Sequence, residues 1–278
     1  MFLGIANIHV VRDDYIRLRE LVIRADGESP RSAESPSGSL TGVAVGSSST
    51  RTPQTPSRVK ARHQIPTVSR GQVEATGWLV HIRGLLDGAR FMAERILQGI
   101  SVVVHCSDGW DRTPLLVALC EIMLDPYYRT IRGFQALIEK EFCSFGHKFQ
   151  DRVGHHCGSK HAVEQCPVFV QFIDSVWQLL NQFRTAFQFN SSYLHRILHH
   201  LYSCRFGTFL FNSEYERRAA GATQRTDSLW TTLNEKWRAK PASVENRQYD
   251  PKAWDTLLPN SSKATLWRQY YQPSITCS

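Results

Sequence analysis

Apolar positions along this 278-residue chain change their period several times, and each change marks an element. Residues 2–11 are rich in apolar and β-branched side chains and predict a strand running into a turn. Asp13 or Asp14 then caps a predicted helix over Tyr15–Arg24, with Ile16, Leu18, Leu21 and Val22 as its apolar set. From Gln72 to Gln98 the residues Trp78, Ile82, Leu85, Leu86, Ala89, Met92 and Ile96 step by three and four, predicting one amphipathic helix closed by Gly99. A strand over 101–105 follows, then a tight loop and a helix over Thr113–Leu124, with Pro114 in its first turn. Helical spacing recurs over Ile131–Phe142, Pro167–Phe183 and Ser192–Tyr202, and in shorter form over Ser213–Ala220 and 227–237. Beyond Lys240 the pattern predicts no element.

Composition interrupts this order once. Between Gly27 and Ser57 stand nine Ser, four Pro and four Thr, and no Phe, Trp or Tyr lies between Tyr15 and Trp78. Such a segment buries too little surface to offset its ordering entropy, so residues 26–71 read as a disordered insertion. Its four Ser/Thr-Pro pairs, at Ser29, Ser35, Thr52 and Thr55, make it a candidate for phosphorylation, though a neutral insertion is the stronger reading. The net charge of +8 favours an anionic partner, either a membrane surface or phosphate esters. No basic run with interleaved aromatics points to nucleic acid. Seven cysteines without paired spacing read as reduced thiols of a cytosolic protein. No apolar stretch approaches the roughly 18 residues of a membrane span.

The chemistry is concentrated in Val102-Val103-Val104-His105-Cys106-Ser107-Asp108-Gly109-Trp110-Asp111-Arg112-Thr113-Pro114. A loop that feeds a helix N-terminus directs several backbone N–H groups into one concavity, where a phosphate fits. A cysteine there is drawn toward thiolate, and an arginine at the loop's end can grip two phosphate oxygens. Cys106 is therefore the candidate nucleophile and Arg112 the candidate phosphate clamp. Spacing alone is weak support; the strand before, the helix after and Gly109 between them strengthen it. The bland alternative is a buried structural cysteine in a turn. Two carboxylates in an anion loop are disfavoured without a task. Asp111 is the expected acid for the leaving group, and Asp108 the expected contact for the rest of the substrate or for the hydrolytic water. Against this, Asp111 could simply cap the helix.

The full string His-Cys-Ser-Asp-Gly-Trp-Asp-Arg-Thr resembles the signature loop of the myotubularin family, a branch of the Cys-x5-Arg phosphatases. The likeness continues through Leu124-Asp125-Pro126-Tyr127-Tyr128-Arg129-Thr130, Phe145-Gly146-His147-Lys148-Phe149, Arg152-Val153-Gly154-His155 and Phe206-Gly207-Thr208-Phe209-Leu210. Asn7-Ile8-His9-Val10 near the start belongs to it as well. The resemblance implies an α/β, tyrosine-phosphatase-like core, here with a partial sheet and a mostly helical carboxy-terminal half. It implies a phosphatase domain over 1–240, incomplete at its amino-terminal side, and a poorly defined tail over 241–278. It implies removal of the 3-phosphate from phosphatidylinositol 3-phosphate and phosphatidylinositol 3,5-bisphosphate, without cofactor or metal.

Substrate contacts are then expected from Ser107, Asp108, Gly109, Trp110, Asp111 and Arg112 around Cys106. By the same resemblance Asn7 and Ile8 lie against the headgroup, and Arg152 meets it at a second phosphate. Arg129, Arg132, Lys140, His147 and Lys148 complete an expected basic rim. Implied surroundings are endosomal or vacuolar membranes reached from the cytoplasm, with homo- or hetero-dimers of myotubularins as partners. A zinc site from His155, His156, Cys157, His161 and Cys166 matches no spacing that zinc uses. Two other classes stand beside the lipid phosphatase: a binding module without turnover, and a phosphoprotein phosphatase.

Overall fold

The structure, a computed structural model, describes residues 3–27, 68–155 and 163–273. Its centre is a helix apolar on every side. Arg112–Leu124 (α4) buries Pro114, Leu115, Leu116, Ala118, Leu119, Cys120, Ile122 and Met123, which no one-sided stripe could do. Two helices sandwich it: Trp78–Leu97 (α3), preceded by Ile8–Gly27 (α1) and Arg70–Ala75 (α2), and Val168–Gln182 (α7). In α7 every residue from Val168 to Leu179 is buried. Ile131–Ile138 (α5), Phe149–Val153 (α6) and Ser191–Ser203 (α8) pack around this core, and Glu214–Ala219 (α9), Ala222–Arg225 (α10), Leu229–Ala239 (α11) and Arg268–Tyr271 (α12) follow. No described helix is long and apolar enough to cross a membrane.

Three expectations change. The strand over 2–11 is not formed, because α1 begins at Ile8. The Asn7 side chain accepts from the N–H groups of His9 (3.0 Å) and Val10 (3.1 Å), and this cap, with Val11, Leu18 and Val22 on one buried face, outweighs the local β-branched signal. The predicted helix over Gln72–Gln98 is two. Gly77 holds φ +84°, and a Cβ there would run into the Asp14 carboxylate, so the chain breaks at this residue. Ser69 and Gln72 form a capping box for α2, which places the end of the expected 26–71 insertion in a helix. Residues 28–67 and their four Ser/Thr-Pro pairs lie outside the described residues.

The third change concerns the sheet. Among the described residues there is no ladder, only an isolated bridge between Phe189 and Glu245. Ser101–His105 does run extended, with Val102 and Val104 against the core and Val103 89% exposed. Among the described residues, its backbone nonetheless makes no hydrogen bond to another segment. Alternation puts one face of a strand inside, but a sheet needs a second strand, and the one expected from 2–11 is helical.

The segment after Lys240 packs as a strap. It buries Val244, Leu257, Leu266, Trp267 and Tyr271, and Trp267 stacks on Trp177 with ring centroids 5.5 Å apart. The Leu257 N–H donates to the Met123 carbonyl (2.8 Å), which closes the last turn of α4. Arg129, expected on the basic rim, is instead 1% exposed. Its guanidinium donates to the carbonyls of Ile122 (2.9 Å), Met123 (3.1 Å), Trp254 (2.6 Å) and Asp255 (2.8 Å).

Asp174 on α7 ties the strap to α3. Fully buried, it accepts from Trp78 Nε1, the Tyr271 hydroxyl and Gln178 Nε2, each at 2.9 Å. Burial pushes its carboxyl up to about 6, against the pull of those three donors. In the unfolded chain it ionises near the ordinary 3.8. The unfolded state therefore loses this proton first as pH rises, and the fold weakens until the native group has ionised too. Between pH 5 and pH 7 the group's stabilising effect falls by about 1 kcal/mol. Urea unfolding of the protein and of Asp174→Asn at both pH values should show that difference; a constant gap between them would exclude the linkage.

Candidate active site

Cys106 stands where the extended segment ends and the loop into α4 begins. Gly109 takes φ +92°, which lets its N–H turn back and donate to Cys106 Sγ (3.2 Å). The Thr113 hydroxyl is buried without a hydrogen-bond partner among the described residues, and its proximity to the sulfur draws the thiol's pKa down. Burial acts to raise the thiol's pKa, but Thr113 and the N–H groups of Gly109, Asp108 and Thr113 outweigh it and hold it below the usual cysteine range. Arg112, the first residue of α4, donates from Nη2 to Ser107 Oγ (3.1 Å). The guanidinium therefore lies across the same loop whose N–H groups face the sulfur. Cys106, Ser107, Arg112 and Thr113 form the polar end of a cavity of about 530 Å³, whose remaining wall includes Ile5, Phe91, Met92 and Leu116.

Asp111 is not the loose carboxyl that an acid would need. It is 6% exposed, and its side chain makes no cap bond to α4. Arg152 donates to it from Nε (3.1 Å to Oδ1) and Nη2 (2.9 Å to Oδ2), and His147 Nδ1 lies 3.2 Å from Oδ1. Burial would raise its pKa, yet His147 and Arg152 bring it down to about 2. A carboxylate held this way keeps its charge at neutral pH, so the expected leaving-group acid is a structural anion in this structure. Asp108 is the loop's exposed carboxyl.

The other expected contacts divide. Asn7 caps α1, and Ile8 lines a small hollow behind the loop together with Arg112 and Leu115, so neither lies on the open cavity. Arg152 is buried and spends its guanidinium on Asp111 and Glu164 (2.9 Å); it braces the loop from behind. Of the rim, Lys140 pairs with Glu141 (3.2 Å) and Glu121, and His147 is 1% exposed. Arg132 is exposed. Lys148 belongs to the site, with Nζ 4.3 Å from the centre of the Trp110 ring.

Glu164 was not foreseen, since nothing in its local pattern separates it from a solvated carboxylate. Of the zinc candidates, His155 bonds through Nε2 to the Leu201 carbonyl (2.7 Å) and Cys166 is buried. His156, Cys157 and His161 lie outside the described residues. Among those that are described, no three metal-binding side chains converge.

Comparison with known proteins agrees with this geometry. The description "myotubularin-like phosphatase domain" matches residues 1–218. A Caenorhabditis elegans protein named phosphatidylinositol-3,5-bisphosphate 3-phosphatase MTMR6 is 47% identical over 204 residues, which cover 72% of this chain and 30% of that protein. The Bos taurus phosphatidylinositol-3,5-bisphosphate 3-phosphatase MTMR2 is 48% identical over 72% of this chain and 32% of its own length. Xenopus laevis myotubularin is 39% identical over 98% of this chain and 38% of its own. The chain thus spans about a third of the length of these relatives. A thiol held toward thiolate, an arginine across the same loop and a matching family description over residues 1–218 together place this chain in the myotubularin-like phosphatase family.

Proposed function

We propose that this chain is a phosphoinositide 3-phosphatase, acting on phosphatidylinositol 3-phosphate and phosphatidylinositol 3,5-bisphosphate at anionic membrane surfaces. The observation that carries the reading is the Gly109 N–H donating to Cys106 Sγ at 3.2 Å, with the Arg112 guanidinium on the same loop. The names of two relatives supply the substrate class, and the +8 charge suits the surface.

In the first step the Cys106 thiolate attacks phosphorus, forming a P–S bond as the bond to the inositol 3-oxygen breaks. The departing alkoxide takes a proton and leaves as the free hydroxyl. Water then attacks the phosphocysteine, releasing inorganic phosphate and restoring the thiol. Arg112 and the loop N–H groups hold the phosphoryl oxygens throughout. With Asp111 locked to Arg152, the exposed Asp108 is the loop carboxyl free to approach the inositol ring or the water.

A binding module without turnover is the second reading. It draws on Ser101–His105, which enters the loop without a ladder to steady it. Phosphate release from short-chain phosphatidylinositol 3-phosphate, its 3,5-bisphosphate and a phosphotyrosyl peptide separates the possibilities. The lipids should exceed the peptide by about a hundredfold in kcat/KM, since the peptide gives up the inositol contacts. Lipid binding without release would favour the module, and release from the peptide alone would overturn the lipid reading.

A further inference from the structure

α4 makes its first backbone bond from the Leu115 N–H to the Asp111 carbonyl (3.4 Å), so the Trp110 carbonyl, one residue earlier, takes no part in the helix ladder. His147 Nδ1 lies 2.8 Å from it and, at the same time, 3.2 Å from Asp111 Oδ1. A carbonyl only accepts, so the ring proton on this side sits on Nδ1.

Everything around His147 fixes that orientation. Its side chain is fully buried, and the ring stands edge-on between Phe142 and Phe149, with centroids 5.6 Å and 4.8 Å away. The other ring nitrogen, Nε2, has no partner among the described residues, so none of them turns the ring by a competing bond. The His147 N–H donates to the Phe142 carbonyl (2.9 Å), and the His147 carbonyl accepts from the Phe149 N–H (2.8 Å). The side chain is therefore held at both ends of its short turn and aimed at one peptide of the loop.

We infer that His147 is a positioning residue of the nucleophile loop: its Nδ1–H donates to the Trp110 carbonyl beside the Asp111 carboxylate, and so fixes the Trp110–Asp111 peptide between Gly109 and Arg112. As a statement about catalysis it rests on the phosphatase reading; as a statement about the loop it does not. The Gly109 N–H and the Arg112 guanidinium flank that peptide on its two sides. Loosening it would spoil the cradle around Cys106 without touching the sulfur.

The test uses two variants and a readout independent of turnover. His147→Leu removes the donor. His147→Asn keeps an N–H close to the Nδ1 position in a smaller side chain. The rate of Cys106 alkylation by iodoacetamide is followed against pH at the Cys106 peptide, with and without orthovanadate as a phosphate-shaped protector. Release from phosphatidylinositol 3-phosphate is measured alongside.

In His147→Leu the alkylation profile should move to higher pH, and protection by orthovanadate should weaken about tenfold. If the protein turns over lipid, kcat should fall about a hundredfold with KM little changed. His147→Asn should recover most of the lost protection. An unchanged profile and full protection in His147→Leu would overturn the inference. So would failure of His147→Asn to restore protection, since that would make His147 a space-filling residue only. The expected shifts without lipid turnover in any form, wild type included, would remove the phosphatase reading and leave the positioning role standing.

Discussion

Cys106→Ser is expected to abolish phosphate release while leaving the fold and anion binding in place. The bonds that gather at position 106 stabilise a negative sulfur: the Gly109 N–H at 3.2 Å and the Thr113 hydroxyl, with further N–H groups that hold the thiol below its usual range. A serine hydroxyl stays protonated in the same place, because its ordinary pKa is too high for three or four hydrogen bonds to bridge the gap. Removing a nucleophile of this kind lowers kcat by roughly four to six orders of magnitude. Arg112 and the loop N–H groups are untouched, so orthophosphate or a phosphoinositide should still bind. Phosphate release and equilibrium binding to short-chain lipid, measured on the same preparation, check both halves. Turnover within tenfold of the parent would exclude Cys106 as the nucleophile.

Arg129→Met should be the most damaging single change to stability. Four backbone carbonyls, from Ile122, Met123, Trp254 and Asp255, converge on this one guanidinium. No carboxylate among the described residues bonds to it, and burial pulls its pKa down to about 10, so it remains charged at neutral pH. Methionine fills a similar volume and supplies no donor. Two of the stranded carbonyls end α4 and two belong to the strap, so the interface between them opens. The expected loss is about 3–5 kcal/mol, read from the urea midpoint; Arg129→Lys, with three donors on a point charge, should recover only part of it. A loss below about 1 kcal/mol would show that water replaces the guanidinium freely.

Legibility in the sequence followed the range of the interaction. α4 and α7 were readable because long apolar runs declare buried helices whatever surrounds them. Helix α8 was readable too, and Asn190 caps it through the Tyr193 N–H. The start of α1 was misread because Val10 and Val11 look like strand in isolation, while the cap that decides the matter is one side chain, Asn7. The break at Gly77 depends on Asp14, 63 positions away, which no local period could show.

At the site, the proximity of Cys106 and Arg112 is legible because a six-residue spacing puts both at one loop. Arg129, His147 and Arg152 were all placed on a rim, since a cation in a sequence looks solvated until its partners are known. Their partners are carbonyls and carboxylates from distant turns, and burial made braces of all three.

The strap also bears on how the protein is made. Arg129 meets Trp254 and Asp255 across 125 and 126 positions, and Arg268 reaches the Val68 carbonyl across 200. At a ribosomal rate of roughly 5–20 residues per second, the partners of Arg129 follow it by roughly 6–25 seconds. For that interval the final turn of α4 has neither its guanidinium bonds to the strap nor the Leu257 N–H. Its apolar surface is then open to chaperones. The helix that begins at Arg112 is thus made well before the strap that encloses its last turn.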